Sequence, residues 1–535
     1  MVTPIIPSFN MHTSTSHLRG LRLGQVAGAL ALALLTGCAT YEQQTQQFTT
    51  STKTGSFASA VIQIDQQAAK SAGSKDELVF RLEQGATLMT AAMADPTMVP
   101  DIRPAPVPAK KGEAPPPPLP EPTAEEVRTH YLTRSVAAFD AAEDKVNAWE
   151  EQAKVKVGSE IGAAMTNQAN LPYRGRAYDK VMMNTYKAVG YLALGDKDKA
   201  RVELNRSLQR QRDAVEANAK RIAAVQEDQE KAARGELKDE KGKSAAYDSN
   251  KALNDPKTGP GLQAALDASI APMKPYGDYV NPFSVFLDGL FFTVLGEGGS
   301  DLERGRKSFE RVASMVPENP FIRADLDAAA SAAEGKAPEG VTYVIFETGT
   351  AAARDQVRVD IPTFLVSSRV PYVGAAFPKL KFNESYIPSI SVKAGETTVN
   401  TATVASMDSV IANDFKNEWP AIVTKTMITT ATKAIIAAVV QKAVEDRAGS
   451  GWGLVAGLVM GGINSSTNIA DTRTWTSLPK EFQYARLATP ASREITIDAG
   501  GVQKTVALAP GSVNIVYVKS ASPTAPLLVS SFVLK

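Results

Sequence analysis

Cysteine is nearly absent: Cys38 is the single one in 535 residues, so no disulfide can close within the chain. Histidine is almost as scarce, since only His12, His17 and His130 occur and two of them precede Cys38. If the cysteine carries lipid, as argued below, the chain beyond it keeps one histidine and no free thiol. That excludes Cys/His nucleophilic sites and His-rich zinc sites. An excess of either charge is lacking too: 58 Lys+Arg, of which only Arg19 and Arg22 precede Cys38, face 57 Asp+Glu. Nucleic-acid binding, which rests on many phosphate contacts, is therefore not expected. No D-x-D-x-D-G calcium loop occurs, and Gly298-Gly299 lacks the strand-Gly-helix setting of a phosphate loop. No spacing singles out a carboxylate pair or a Ser/Lys pair. The reading is of a protein that is not an enzyme and uses no cofactor.

What is present begins with a leader. Arg19 and Arg22 form a positive stretch, residues 23–34 (LGQVAGALALAL) are apolar, and Leu35-Thr36-Gly37-Cys38 follow. This is the grammar of an exported precursor. Fifteen residues separate Arg22 from Cys38, against roughly 20 for a spanning helix, so a permanent transmembrane anchor is disfavoured. The Leu-Thr-Gly-Cys string resembles the lipobox of bacterial prolipoproteins, which implies diacylglycerol on the Cys38 thiol and residues 1–37 as signal peptide. Each buried CH₂ contributes about 0.8 kcal/mol, and more than one chain makes the attachment stable. The resemblance also implies sorting: Ala39, rather than Asp, follows the cysteine, which points to an outer-membrane lipoprotein facing the periplasm. Residues 1–10 carry no charge, and Met11 is an alternative start.

At this length two or three domains are expected, with 44% apolar residues to fill their cores. Residues 38–53 read as a tether. Residues 54–336 are rich in Ala, Gln, Glu, Lys and Arg with apolar positions three and four apart, an all-α pattern. Two stretches interrupt it: the proline-dense segment 101–122, read as a solvated spacer, and the charged, Gly/Pro-punctuated segment 228–262, read as an excursion between helices. Within the helical part, Ala188, Tyr191, Gly195-Asp196, Ala200, Leu204 and Ser207 resemble a tetratricopeptide repeat, in which small residues let paired helices approach. A second copy spans 282–317 with Gly289, Phe292, Gly296, Gly305, Phe309 and Pro317. An irregular helical bundle is the alternative, because about three repeats are usually needed for a stable stack.

Near Glu339 the pattern changes to short strands at 341–346, 357–364, 370–377 and 387–392, with Pro362 and Pro388 marking edges or ends. A helical insertion at about 408–468 follows. Asp408 is placed as a cap, Pro420 in the first turn of a second helix, and 451–463 (GWGLVAGLVMGGI) as an apolar segment with small residues at Gly453 and Gly457. At thirteen residues that segment is too short to span, and a tightly packed core helix is favoured over insertion into a bilayer surface or partner groove. Strands at 482–487, 494–497, 502–508, 513–518 and 527–534 close a chain whose residues 339–535 read as an α+β domain, sandwich-like with inserted helices.

Asp471, Arg473 and Trp475 make the densest polar-aromatic cluster of that half. Arg473 would either grip an anionic glycan or peptide carboxylate, with Trp475 stacking on a sugar, or pair with Asp471 and orient its loop, the favoured alternative. The strings Phe346-Glu347-Thr348-Gly349, Ala376-Phe377-Pro378 and Ala470-Asp471-Thr472-Arg473-Thr474-Trp475, with Leu478-Pro479 after them, resemble a family of Gram-negative lipoproteins that join a tetratricopeptide-like helical half to a β-containing half. The family has no established activity, so the resemblance implies a compartment and an architecture only. The expected role is a lipid-anchored periplasmic scaffold with envelope protein partners: a peptidoglycan synthase, a secretion complex or an outer-membrane assembly factor. The alternative is a glycan-binding or glycan-active protein using Trp475, Trp452 or Trp419.

Overall fold

The computed structural model describes residues 41–104, 119–155, 168–237, 246–271, 273–365, 371–448 and 469–535. Cys38, the leader and the segment 451–463 lie outside the described residues, as does most of the proline-dense segment. Thr45–Lys535 is one compact unit and Met1–Gln44 another.

Helices come first. They are α1 (Tyr41–Lys53), α2 (Phe57–Lys70), α3 (Glu77–Ala91), α4 (Ala124–Val155), α5 (Ala177–Ala193), α6 (Lys197–Ala233), α7 (Ser249–Leu253), α8 (Thr258–Ile270), α9 (Pro282–Leu295), α10 (Gly299–Met315) and α11 (Ile322–Ala333). The stretch expected as a tether thus contains a helix. The excursion expected over 228–262 is also partly helical. Its start, with Ala232 and Ala233, prolongs α6 to Ala233, Asp248 caps α7 by accepting from the Lys251 N–H (3.0 Å), and Asp255, in the turn before α8, accepts the Thr258 N–H (3.0 Å).

Short turns set consecutive helices side by side. Gly195, at φ +80°, makes the turn between α5 and α6, and Asp196 then caps α6 through the Lys199 N–H (3.0 Å). On α10, Gly305 lies so close to the α9 backbone that an added Cβ would stand 2.8 Å from the Thr293 nitrogen. Only glycine lets these two helices meet there.

Strands follow: β1 (Val341–Thr348), β2 (Ala353–Pro362), β3 (Tyr372–Lys381), β4 (Ser391–Ala394), β5 (Thr397–Asn400) and β6 (Ala402–Ser406), then helix α12 (Met407–Ala448), then β7 (Glu481–Ala488), β8 (Glu494–Ala499), β9 (Val502–Ala507), β10 (Val513–Ser520) and β11 (Leu528–Val533). They form a five-stranded sheet in the order β11-β10-β1-β7-β6, a four-stranded sheet in the order β5-β4-β8-β9, and the pair β2-β3. The β1-β10 pair is parallel and the other pairs antiparallel. Every residue of β1 and β10 is buried, as expected for central strands covered on both faces.

Alternation divides the five-stranded sheet. One face carries Val344, Phe346, Ala485, Leu487, Val516 and Val518, which share a core with Val392, Ile495 and Ile497 of the four-stranded sheet and with Ile390 just before β4. Tyr343, Phe482 and Tyr484 point the other way, into the helices: Phe283 stacks on Phe482 at 3.9 Å and Phe286 meets Tyr484 at 4.4 Å. Helices, the five-stranded sheet and the four-stranded sheet are therefore successive layers of one body. The boundary near Glu339 separates element types while the packing across it is continuous.

Helix α12 differs from expectation. It passes through Pro420 unbroken, where two helices were expected. A mid-helix proline costs about 3 kcal/mol or more, and here Phe415 and Trp419 are buried beside Phe377, holding the helix together before the proline. Asp408 is not its cap. The Ser406 hydroxyl accepts the Ser409 N–H (3.2 Å), while the buried Asp408 carboxylate accepts the Ala352 N–H (2.7 Å) and pairs with Lys480 (2.7 Å).

Candidate functional site

The residues singled out from sequence lie inside the body. Arg473 is 5% exposed and Trp475 1%. The Arg473 guanidinium donates to Asp471 (2.8 Å from Nε), to Asp76 just before α3 (2.9 Å) and to the Leu171 carbonyl (2.8 Å), and it lies over the Tyr173 ring. Of the two roles open to it, this is the geometry of the loop-orienting one. The Trp475 ring is enclosed by Phe139 and Tyr186, and its Nε1–H donates to Ser477 (2.9 Å). No ring face is left for a sugar. Trp419 is buried as well, and Trp452 lies outside the described residues.

Arg473 belongs to a larger polar seam between the helices and the C-terminal half. Glu418 on α12 receives Arg176, which precedes α5 (2.8 Å), and Arg354 on β2 (2.7 Å), while Arg176 also donates to the Arg473 carbonyl (3.2 Å). Burial by itself would raise the Glu418 carboxyl, but Arg176, Arg354 and Arg221 outweigh it and hold the group down at about 2. One turn earlier, Asp414 accepts the Tyr178 N–H (3.2 Å), and burial together with the Glu418 charge pushes its carboxyl well up. Below them, Glu83 of α3 is fully buried and accepts from the backbone and hydroxyl groups of both Thr476 and Ser477. Sequence reading missed Arg176, Arg354, Glu418 and Glu83, which lie far apart in the chain. Their signal was faint: charged residues within otherwise apolar helical and strand patterns.

A second buried carboxylate sits where α11 meets the five-stranded sheet. Asp325 accepts from the Tyr343 and Tyr484 hydroxyls (2.7 Å each) and faces the Arg486 Nε (3.2 Å). Burial outweighs those three groups and lifts its carboxyl to about 6 from an ordinary 3.8. A carboxyl raised in the fold stabilises while protonated. Its contribution is fully present below about pH 3.8 and is lost as pH rises through about 6, some 3 kcal/mol at 1.36 kcal/mol per unit. Asp325→Asn keeps the shape, with the amide oxygen accepting from Tyr343 and Arg486 and the amide nitrogen donating to Tyr484. Its stability relative to the wild type is expected to rise by about 3 kcal/mol between pH 4 and pH 7 in urea titrations. A difference that stays constant over that range would contradict the assignment.

The groove open to solvent lies elsewhere. About 640 Å³ is enclosed between α6 (Leu204, Leu208, Arg212), α9 (Ser284, Val285, Asp288) and α10 (Arg304, Lys307, Ser308, Arg311). Spacings of three and four residues put each set on one helix face. Asp288 on the floor is saturated: Arg304 and the Ser308 hydroxyl both donate to it. Asn205 on the rim accepts from Arg304. The groove has charged rims over a floor of half-buried Leu208 and buried Val285. Among the described residues no group of three or more His, Cys, Asp or Glu is placed to hold a metal ion. Compared with family models, with curated proteins and with solved structures, the chain finds no match.

Proposed function

We propose that the protein is a lipid-anchored scaffold of the bacterial envelope, held to the outer membrane through Cys38 and offering its helical side to other envelope proteins. The observation that carries this reading is the open groove across α6, α9 and α10. A paired-helix array binds partners through extended concave surfaces of this kind. The tetratricopeptide-like reading of the pairs α5-α6 and α9-α10 is supported by Gly289, whose added Cβ would meet the Phe309 ring at 3.1 Å, and by the glycine contact at Gly305. The sandwich-like reading of the C-terminal half is supported by the core shared between the five- and four-stranded sheets. The leader and lipobox supply the compartment. Membership in the lipoprotein family rests on the strings around Phe346, Phe377 and Asp471.

A photo-crosslinking amino acid placed at Gln209, on the groove rim, tests the reading in living cells. The expected result is a discrete adduct with an envelope protein, absent when the crosslinker sits at Lys393 on the far sheet and reduced when Cys38→Ser releases the chain from the membrane. An adduct pattern identical at the two positions, or none at Gln209, would overturn it.

A further inference from the structure

The groove has a charge imbalance that its own residues leave uncorrected. Its two carboxylates are spoken for: Asp288 by Arg304 and Ser308, and Glu303 by Arg306, which grips it from both sides (2.7 Å each), with Lys307 at 3.6 Å. Arg212, from α6, and Arg311, from α10, both line the groove. Among the described residues neither guanidinium makes an ion pair or a side-chain hydrogen bond. Both are exposed. Partial burial, and then the Arg212 charge, push the Arg311 guanidinium below its ordinary value, so the two cations that line the groove repel each other. Two like charges held together on separate helices are unfavourable until an anion joins them, and a planar guanidinium pair suits carboxylate oxygens bidentately.

Building on the scaffold reading, we propose that this groove docks an acidic, extended segment of a partner protein, with a carboxylate clamped between Arg212 and Arg311 and apolar side chains against Leu208 and Val285. Ser300 to Arg311 spans about 16 Å at 1.5 Å per residue, room for about five residues of extended chain at 3.3 Å each. A peptide fits better than a nucleic acid here. A nucleic acid relies on many phosphate contacts, whereas Arg212 and Arg311 are the two cations here without an ion pair among the described residues, and an alternating acidic and apolar segment needs one strong anion site and an apolar floor.

The test uses the full-length protein in detergent and fluorescein-labelled peptides of alternating Glu and Leu, with Gln/Leu and Lys/Leu peptides and a single-stranded oligothymidylate for comparison. The Glu/Leu peptide is expected to bind tightest, to weaken about tenfold in Arg212→Gln or Arg311→Gln, as for loss of one charge-assisted hydrogen-bonded contact, and to be unaffected by Arg323→Gln, an exposed site on α11. Circular dichroism checks that the variants stay folded. Equal binding of the Gln/Leu peptide, tighter binding of the oligothymidylate, or indifference to both groove substitutions would overturn the proposal. Repeating the Gln209 crosslink in the Arg212→Gln/Arg311→Gln background separates the two readings. An undiminished adduct defeats the acidic-segment inference while the scaffold stands, and absence of any adduct in the parent defeats the scaffold itself.

Discussion

Glu418→Ala is expected to destabilise the fold by about 3–5 kcal/mol, the range for removing one partner from a buried ion pair. The variant strands two guanidiniums at once, since Arg176 and Arg354 both rest on this carboxylate and the Arg354 side chain is 1% exposed. Truncation also opens the interface where the start of α5 meets α12. Glu418→Gln keeps the shape and lacks the charge, so it should lie between the wild type and alanine. The pH dependence gives the sharper signature. A carboxyl held at about 2 in the fold, against an ordinary 4.5, contributes stability that is complete above about pH 4.5 and is lost as pH falls toward 2. The advantage of wild type over the glutamine variant should therefore shrink steadily below pH 4.5 in chemical denaturation. A loss under 1 kcal/mol for Glu418→Ala at pH 7 would show that the seam is not what joins these helices.

Arg473→Met should be comparably severe, again about 3–5 kcal/mol, because it leaves Asp471 and Asp76 facing each other without their shared cation. Arg473→Lys should recover only part of that loss. A single ammonium cannot reach Asp471, Asp76 and the Leu171 carbonyl together as the fork does. The same variant tells a loop-orienting arginine from a ligand-gripping one. A ligand grip predicts a protein of unchanged stability that has lost binding, whereas the geometry here predicts a lowered unfolding midpoint in the absence of any ligand.

These two residues also show what was legible. Arg473 and its neighbour Asp471 announced themselves because a polar-aromatic cluster beside strand signals is a local feature. Asp76, Tyr173 and Leu171, which decide what Arg473 does, lie some 300 to 400 residues away in the chain, and no spacing rule links them. The helical character up to Ala333 and the strands from Val341 were readable from periodicity, since each element writes its own pattern over ten or so residues. Local rules misled at Pro420 and in the charged stretch before α8. At Pro420, packing of Trp419 against Phe377 of β3 outweighed what the proline favoured, and after the charged stretch α8 is tied to β2 and β3: the Thr258 hydroxyl donates to the Asp360 carbonyl (2.7 Å), and the Ser269 hydroxyl accepts the Leu380 N–H (3.0 Å).

The groove was out of reach for a related reason. Arg212 and Arg311 are ordinary surface cations when read singly, and line one groove only because α6 and α10 flank α9 in the fold.

By itself, then, the sequence determined the succession of a helical part by a strand-rich part, the scarcity of cysteine and histidine, and the lipobox-like string at Cys38 on which the proposed compartment rests. Those are properties of neighbours in the chain. The mixed parallel pairing of β1 with β10, the burial of Trp475, the ion pairs through Glu418 and the unpaired cations of the groove were decided by tertiary structure alone. Burial and Coulomb interaction act through space, so a charge takes its meaning from partners that only the folded chain supplies.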